Sequence, residues 1–181
     1  MKKSALLSLF VIGLCSTLFA QNQTGWSLPL HEAKFVDESG ETIKLAIDPG
    51  FDYADLMEGS DKVRFFFNRN HPNFRQARII DQDSNELVAR GKGGFFFGDA
   101  KMVFADGSVV NLKKIKNPNG YEIIGPHGPL FKVENQGIKA VSTIDQKEFL
   151  TQTFFVFDRI RATQQPPAEV IYVYASSTLG K

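Results

Sequence analysis

Three histidines, His31, His71 and His127, are the first candidates for chemistry, and no two are close in sequence. The stretch from His31 to Phe35 starts as a zinc-protease helix would, but Phe35 stands where the second histidine is required, so that motif fails. A zinc site would have to be assembled through the fold; otherwise these are surface or turn histidines, His127 in its Gly-Pro turn above all. Asp81, Asp83 and Asn85 place oxygens at alternate positions, as the first half of a calcium loop does. Such a loop needs Gly sixth and Glu twelfth, where this chain has Glu86 and Lys92. The three are expected to form a polar hairpin turn, with a weak metal set as the alternative. Asp48, Asp52, Asp55, Glu58 and Asp61 crowd the acidic stretch 48–61. They could collect a cation or supply paired carboxylates for acid–base work; a solvated loop with a short helical turn is the ordinary alternative.

Nucleophilic and phosphate chemistry find little. There is no Gly-x-Ser-x-Gly elbow, and Cys15, the one cysteine, falls in the first twenty residues. Gly91-Lys92-Gly93-Gly94 is glycine-rich, but no Ser or Thr follows its Gly-Lys pair, so a bend at a barrel corner is expected instead of a phosphate loop. No cofactor is called for, and no catalytic residue is identified. Basic residues gather at Arg64, Arg69, Arg75 and Arg78 and again at Lys113, Lys114 and Lys116, interleaved with Phe66, Phe74 and Phe96. Arg64, Phe66, Arg69, Phe96, Lys113 and Lys114 are therefore candidates for a surface that takes anionic head groups or sugar polymers, against the alternative of a normal charged strand face.

The elements that must position these residues read mainly as strands. Turns are expected at Glu38-Ser39-Gly40, Asp83-Ser84-Asn85, Asp106-Gly107 and Gly125-Pro126-His127-Gly128, each between alternating apolar runs. Their recurrence from Ala77 to Val133 suits an all-β sandwich or barrel. One long segment departs. Asp145 and Glu148 have capping-box spacing, and the run to Ile160 is apolar nearly all round, which predicts a buried helix stopped by Pro166 and Pro167. A strand over Thr153 to Phe157 is the rival. The segment from Ala168 to Ser177 reads as a closing strand. The triplets Phe65-Phe66-Phe67 and Phe95-Phe96-Phe97, taken as strands, send their outer rings inward and the middle ring out, because neighbours alternate faces.

The ends and composition set further bounds. Residues 1–20, a basic start and an apolar run ending at Ala20, read as a secretory signal peptide, with an uncleaved anchor as the rival. Leu14 before Cys15 is not the small residue a lipobox needs. Removing 20 of 181 residues leaves a single domain, 21–181, of 161. Lys2 and Lys3 leave with the signal, so 21 basic residues become 19 against 20 acidic, a net charge of −1. That balance offers nothing to nucleic acid. No cysteine is left for a disulfide, so the domain must rely on its core; it keeps 15 of the 17 phenylalanines, enough to supply one.

Between Gln76 and Glu134 the order is strand, Asp-containing turn, strand ending in basic residues, aromatic stretch with Gly, next hairpin. Asp81, Val88, Arg90, Phe97, Gly98, Asp106, Val110, Lys113 and Lys114 carry that rhythm. It resembles the tubby-like superfamily, in the branch of the LURP-one-related proteins and phospholipid scramblases. The resemblance covers about a third of the chain and implies a closed barrel of about twelve strands around a central hydrophobic helix. The chain departs from the family in lacking a scramblase-like acidic calcium loop and a palmitoylated cysteine run, and the phosphoinositide-binding residues of tubby cannot be placed on it. Family function therefore does not carry over. The expectation is an exported, periplasmic or secreted, non-enzymatic β-barrel domain that binds a lipid, envelope component or protein. An envelope hydrolase using carboxylates of the 48–61 loop and a structural accessory protein are the alternatives.

Overall fold

The computed structural model describes residues 31–37, 39–164 and 171–174, without the side chains of Asn70 and of 171–174. The expected signal peptide, its cleavage at Ala20 and the Pro166-Pro167 stop lie outside the described residues.

Strands β1 (His31–Asp37), β2 (Thr42–Ile47), β3 (Tyr53–Glu58), β4 (Asp61–Phe67), β5 (Ala77–Asp81), β6 (Leu87–Lys92), β7 (Lys101–Phe104) and β8 (Val109–Asn111) form an antiparallel meander. The last strand, β13 (Ile171–Tyr174), joins this sheet beside β1 in parallel, making nine strands. Strands β9 (Lys113–Asn117), β10 (Gly120–Gly125), β11 (Gly128–Glu134) and β12 (Gly137–Lys139) form a second, four-stranded sheet. Among the described residues neither sheet closes on itself by strand pairing.

The expected turns at Ser39-Gly40, Asp83-Ser84, Asp106-Gly107 and Pro126-His127 separate consecutive strands. Three expectations are corrected. Within the 48–61 stretch expected as a loop with a helical turn, Tyr53–Glu58 is a strand: Ala54 and Leu56 are buried between less buried neighbours, the alternation of a half-buried strand. The run that follows the Asp106-Gly107 turn is not one hairpin arm but two strands: it breaks at Leu112, which is buried, and passes from the first sheet to the second. Phe95, Phe96 and Phe97 form a turn, not a strand.

Gln146–Thr163 is the expected helix, α1. The Asp145 carboxylate caps it, accepting from the Glu148 N–H at 2.9 Å. The capping box is only half made, because the Glu148 carboxylate turns away to His127. Residues 148–157 of α1 are buried without a break, so the middle of the helix is enclosed on all sides. Phe149 packs edge-on to Phe35 of β1 (ring centroids 5.1 Å), Phe154 to Phe67 of β4 (5.3 Å), and Phe155 lies 6.0 Å from Phe131 of β11. Both sheets thus converge on one rod in a single apolar cluster. The first triplet follows strand parity: Phe65 and Phe67 are buried and Phe66 is only partly covered. Burying each such ring stabilises the fold by about 1.5–3 kcal/mol.

Candidate functional site

The residues expected at the surface are dispersed. Arg64 is already satisfied: it forms a two-pronged ion pair with Asp55 on the neighbouring strand (2.8 Å each) and lies over the Tyr53 ring at 3.9 Å. Asp55 is thereby removed as a carboxylate free for acid–base work. Phe66 is half-buried in the same sheet, opposite Tyr53 and Arg78. Arg69 sits exposed in a short 3₁₀ turn at the end of β4, in the left-handed region (φ 61°). Lys114, in the second sheet, places its ammonium 4.0 Å over the Tyr121 ring, and partial burial pulls its pKa down. Asp81 accepts from the backbone of Asp83 (3.0 Å) and Ser84 (2.8 Å), the fold-back of a polar turn.

Phe96 stands in the loop between β6 and β7, and Lys113 lines a notch with that loop's C-terminal residues. Gly93 takes φ 69°, and a Cβ there would stand 2.1 Å from the Asp99 carbonyl oxygen. The loop folds tightly on itself, and the Asp99 carboxylate accepts from the Gly94 N–H at 2.8 Å. Gly91 serves close packing instead of the expected barrel corner: a Cβ there would meet the Phe74 carbonyl oxygen at 2.0 Å. Arg75 Nε donates to the Gly93 carbonyl at 3.2 Å. Phe95 is the loop's foot, packed on Phe74 and Phe155 (5.3 and 6.0 Å). Phe96 and Phe97 are its tip, 92% and 73% exposed and edge-to-face at 5.1 Å. The expectation that Phe97 turns inward with Phe95 is overturned, since a tight turn abolishes the period of two.

Basic residues flank the base of this loop: Lys92 ends β6, Lys101 starts β7, and Arg75 holds Gly93. Strand β6 buries Ala89 and Gly91 and turns Arg90 and Lys92 outward. Register then places Arg78 opposite Arg90 and Lys92 opposite Lys101. These are two like-charge pairs on adjacent strands, an arrangement that destabilises a sheet. Burial first, then the Arg90 charge, lower the Arg78 pKa. Arg78 is held by the Arg75 and Ala77 carbonyls at 3.1 and 2.7 Å. None of Arg75, Arg78, Arg90, Lys92, Lys101 and Lys113 forms an ion pair with an acidic side chain among the described residues. A notch of about 550 Å³, lined by Gly98, Lys101, Lys113 and Pro126 among others, opens at the foot of the loop between the two sheets.

Arg90, Lys92, Lys101 and Phe97 were missed in the sequence reading. The alternation of Val88-Ala89-Arg90-Gly91-Lys92 is the signal that places Arg90 and Lys92 on one face. A second cleft, of about 390 Å³, is of opposite character: Asp61, Asp81, Glu86 and Asp106 line it over Leu87, Phe104 and Leu150. Lys147 neutralises part of it by donating to Asp106 at 2.6 Å. No helix among the described residues is long and apolar enough to cross a membrane. Comparison with family models, curated proteins and solved structures finds no match to this sequence.

Proposed function

We propose that this chain is an exported, non-enzymatic domain that docks on an anionic lipid surface, with Phe96 and Phe97 entering the interfacial layer. Arg75, Arg90, Lys92 and Lys101 then face the head groups. The observation that carries the proposal is the two like-charged register pairs, Arg78–Arg90 and Lys92–Lys101, on β5, β6 and β7, the last two strands being joined by the loop that exposes a ring pair. An anionic surface relieves the repulsion and takes up the rings together.

The magnitudes suit reversible docking. Transferring a ring from water is worth about 1.5–3 kcal/mol when complete. Each basic residue near an anionic leaflet adds about 1 kcal/mol. Two rings and four cations therefore reach the range of peripheral attachment without a membrane-spanning element. Export, expected from residues 1–20, would bring the domain to envelope lipid. We further read the two sheets as one nearly closed wall around α1, the arrangement that kinship with the tubby-like superfamily would require; support comes from ring contacts to α1 from β1, β4 and β11.

Flotation with phosphatidylcholine vesicles, with and without phosphatidylglycerol, tests the proposal. The chain should float only with the anionic lipid, and less as salt rises. Equal behaviour with both vesicle types would remove it.

A further inference from the structure

We infer that His127, Asp145 and Glu148 form a binding site for a divalent cation of the Zn²⁺ class, independent of the lipid-docking surface. The three come from two elements. His127 lies in the turn between β10 and β11, whereas Asp145 and Glu148 open α1. His127 Nδ1 stands 3.0 Å from Glu148 Oε1 and 3.9 Å from Asp145 Oδ2. All three ligand atoms lie within 4.8 Å of one another. Ligand atoms sharing one ion at about 2.1 Å stand roughly 3 to 3.5 Å apart. The site thus closes on a cation when Asp145 Oδ2 draws in by about 1 Å, a side-chain rotation at a half-exposed residue.

Two features separate it from an ordinary acidic cluster. The first is the donor set: one imidazole nitrogen and two carboxylate oxygens suit a borderline metal better than Ca²⁺, which takes oxygen ligands. The second is Glu148. Its side chain is only 2% exposed, and its hydrogen-bond partners among the described residues are the backbone N–H (3.3 Å) and ring nitrogen of His127. A carboxylate taken from water needs a full opposite charge near it, and a dication supplies that charge. The Lys147 ammonium is engaged with Asp106. Asp145 uses Oδ1 for the helix cap and leaves Oδ2 for the ion. The helix N-terminus opposes a cation with about half a positive charge, which two carboxylates outweigh. His127 and Asp145 are about half exposed, so the ion has a path in and keeps room for water.

ZnCl₂ titration of the chain by calorimetry and by NMR of the imidazole resonances tests the site. One equivalent should bind, shifting His127 but neither His31 nor His71, and raising the unfolding temperature; CaCl₂ at the same concentration should do neither. Asp145→Asn keeps an oxygen for the helix cap while removing the ligand charge. It and His127→Gln should each weaken binding by about tenfold or more. No stoichiometric uptake, or uptake unchanged in His127→Gln, would overturn the site.

Discussion

Arg90→Glu separates the cost of the basic face from its use. In the native chain Arg90 is directly opposite Arg78 across the β5–β6 pair, and the Arg78 guanidinium is fixed by two carbonyls of its own segment. A glutamate at 90 meets a guanidinium already in place. Replacing a like-charge pair by an opposite one on an exposed sheet face is worth about 1 kcal/mol. For a domain of this size that raises the unfolding temperature by about 2–4 °C. Docking responds in the opposite sense. The substitution changes the face by two charge units, at about 1 kcal/mol each near an anionic leaflet. The partition coefficient onto phosphatidylglycerol vesicles should then fall about 30-fold. Thermal unfolding and vesicle co-sedimentation at matched ionic strength read the two effects, and added salt should shrink both. A variant that loses stability, or that partitions as the native chain does, refutes the claim that this face carries unrelieved repulsion for the sake of an anionic partner.

Phe96→Ser with Phe97→Ser should leave denaturant unfolding unchanged, because both rings are already in water, while vesicle flotation is lost. Phe149→Ala removes a fully buried ring from the contact of α1 with β1 and should cost about 3–5 kcal/mol in urea unfolding. Gly93→Ala should disrupt the loop, since the added Cβ meets the Asp99 carbonyl and the positive φ disfavours it; vesicle binding should drop by more than global stability does. Burial pushes the Asp158 carboxyl up to about 6, against the opposing pull of Arg161, Lys114 and Arg159. The folded state then holds the proton more tightly than the unfolded chain. This contribution to stability is full below about pH 4 and is lost as pH rises through about 6. Asp158→Asn should flatten that part of the stability–pH curve and raise stability at pH 7.5 by up to about 2–3 kcal/mol, measured by urea unfolding.

Much of the fold was legible because its signals are local. Asp106-Gly107 and Pro126-His127 occur as hairpin connections, since so few residue types suit tight turns. The Asp145 cap and the apolar run after it are sufficient for a buried helix. Where local signals compete, legibility falls. Dense acidic residues over 53–61 masked the alternation of Ala54 and Leu56, whose burial depends on facing the core. Three consecutive phenylalanines suggested a strand at 95–97, but the glycines beside them and the Asp99 carboxylate make a turn more favourable. The candidate site was less legible still. Arg64 looked available until strand register set Asp55 opposite it. Arg90, Lys92 and Lys101 drew no notice until register put like charges side by side.

By itself the sequence determined the period of the strands, the chemistry of the turns, the capped apolar helix and the near-zero net charge. The first three follow from backbone sterics and water acting over a few residues, and the last from composition alone. Tertiary structure alone decided which charges meet, which rings stay wet, and that His127 faces a carboxylate 21 residues away. Those outcomes depend on strand register and on how α1 seats between two sheets, and such long-range packing choices leave no mark in any short stretch of chain.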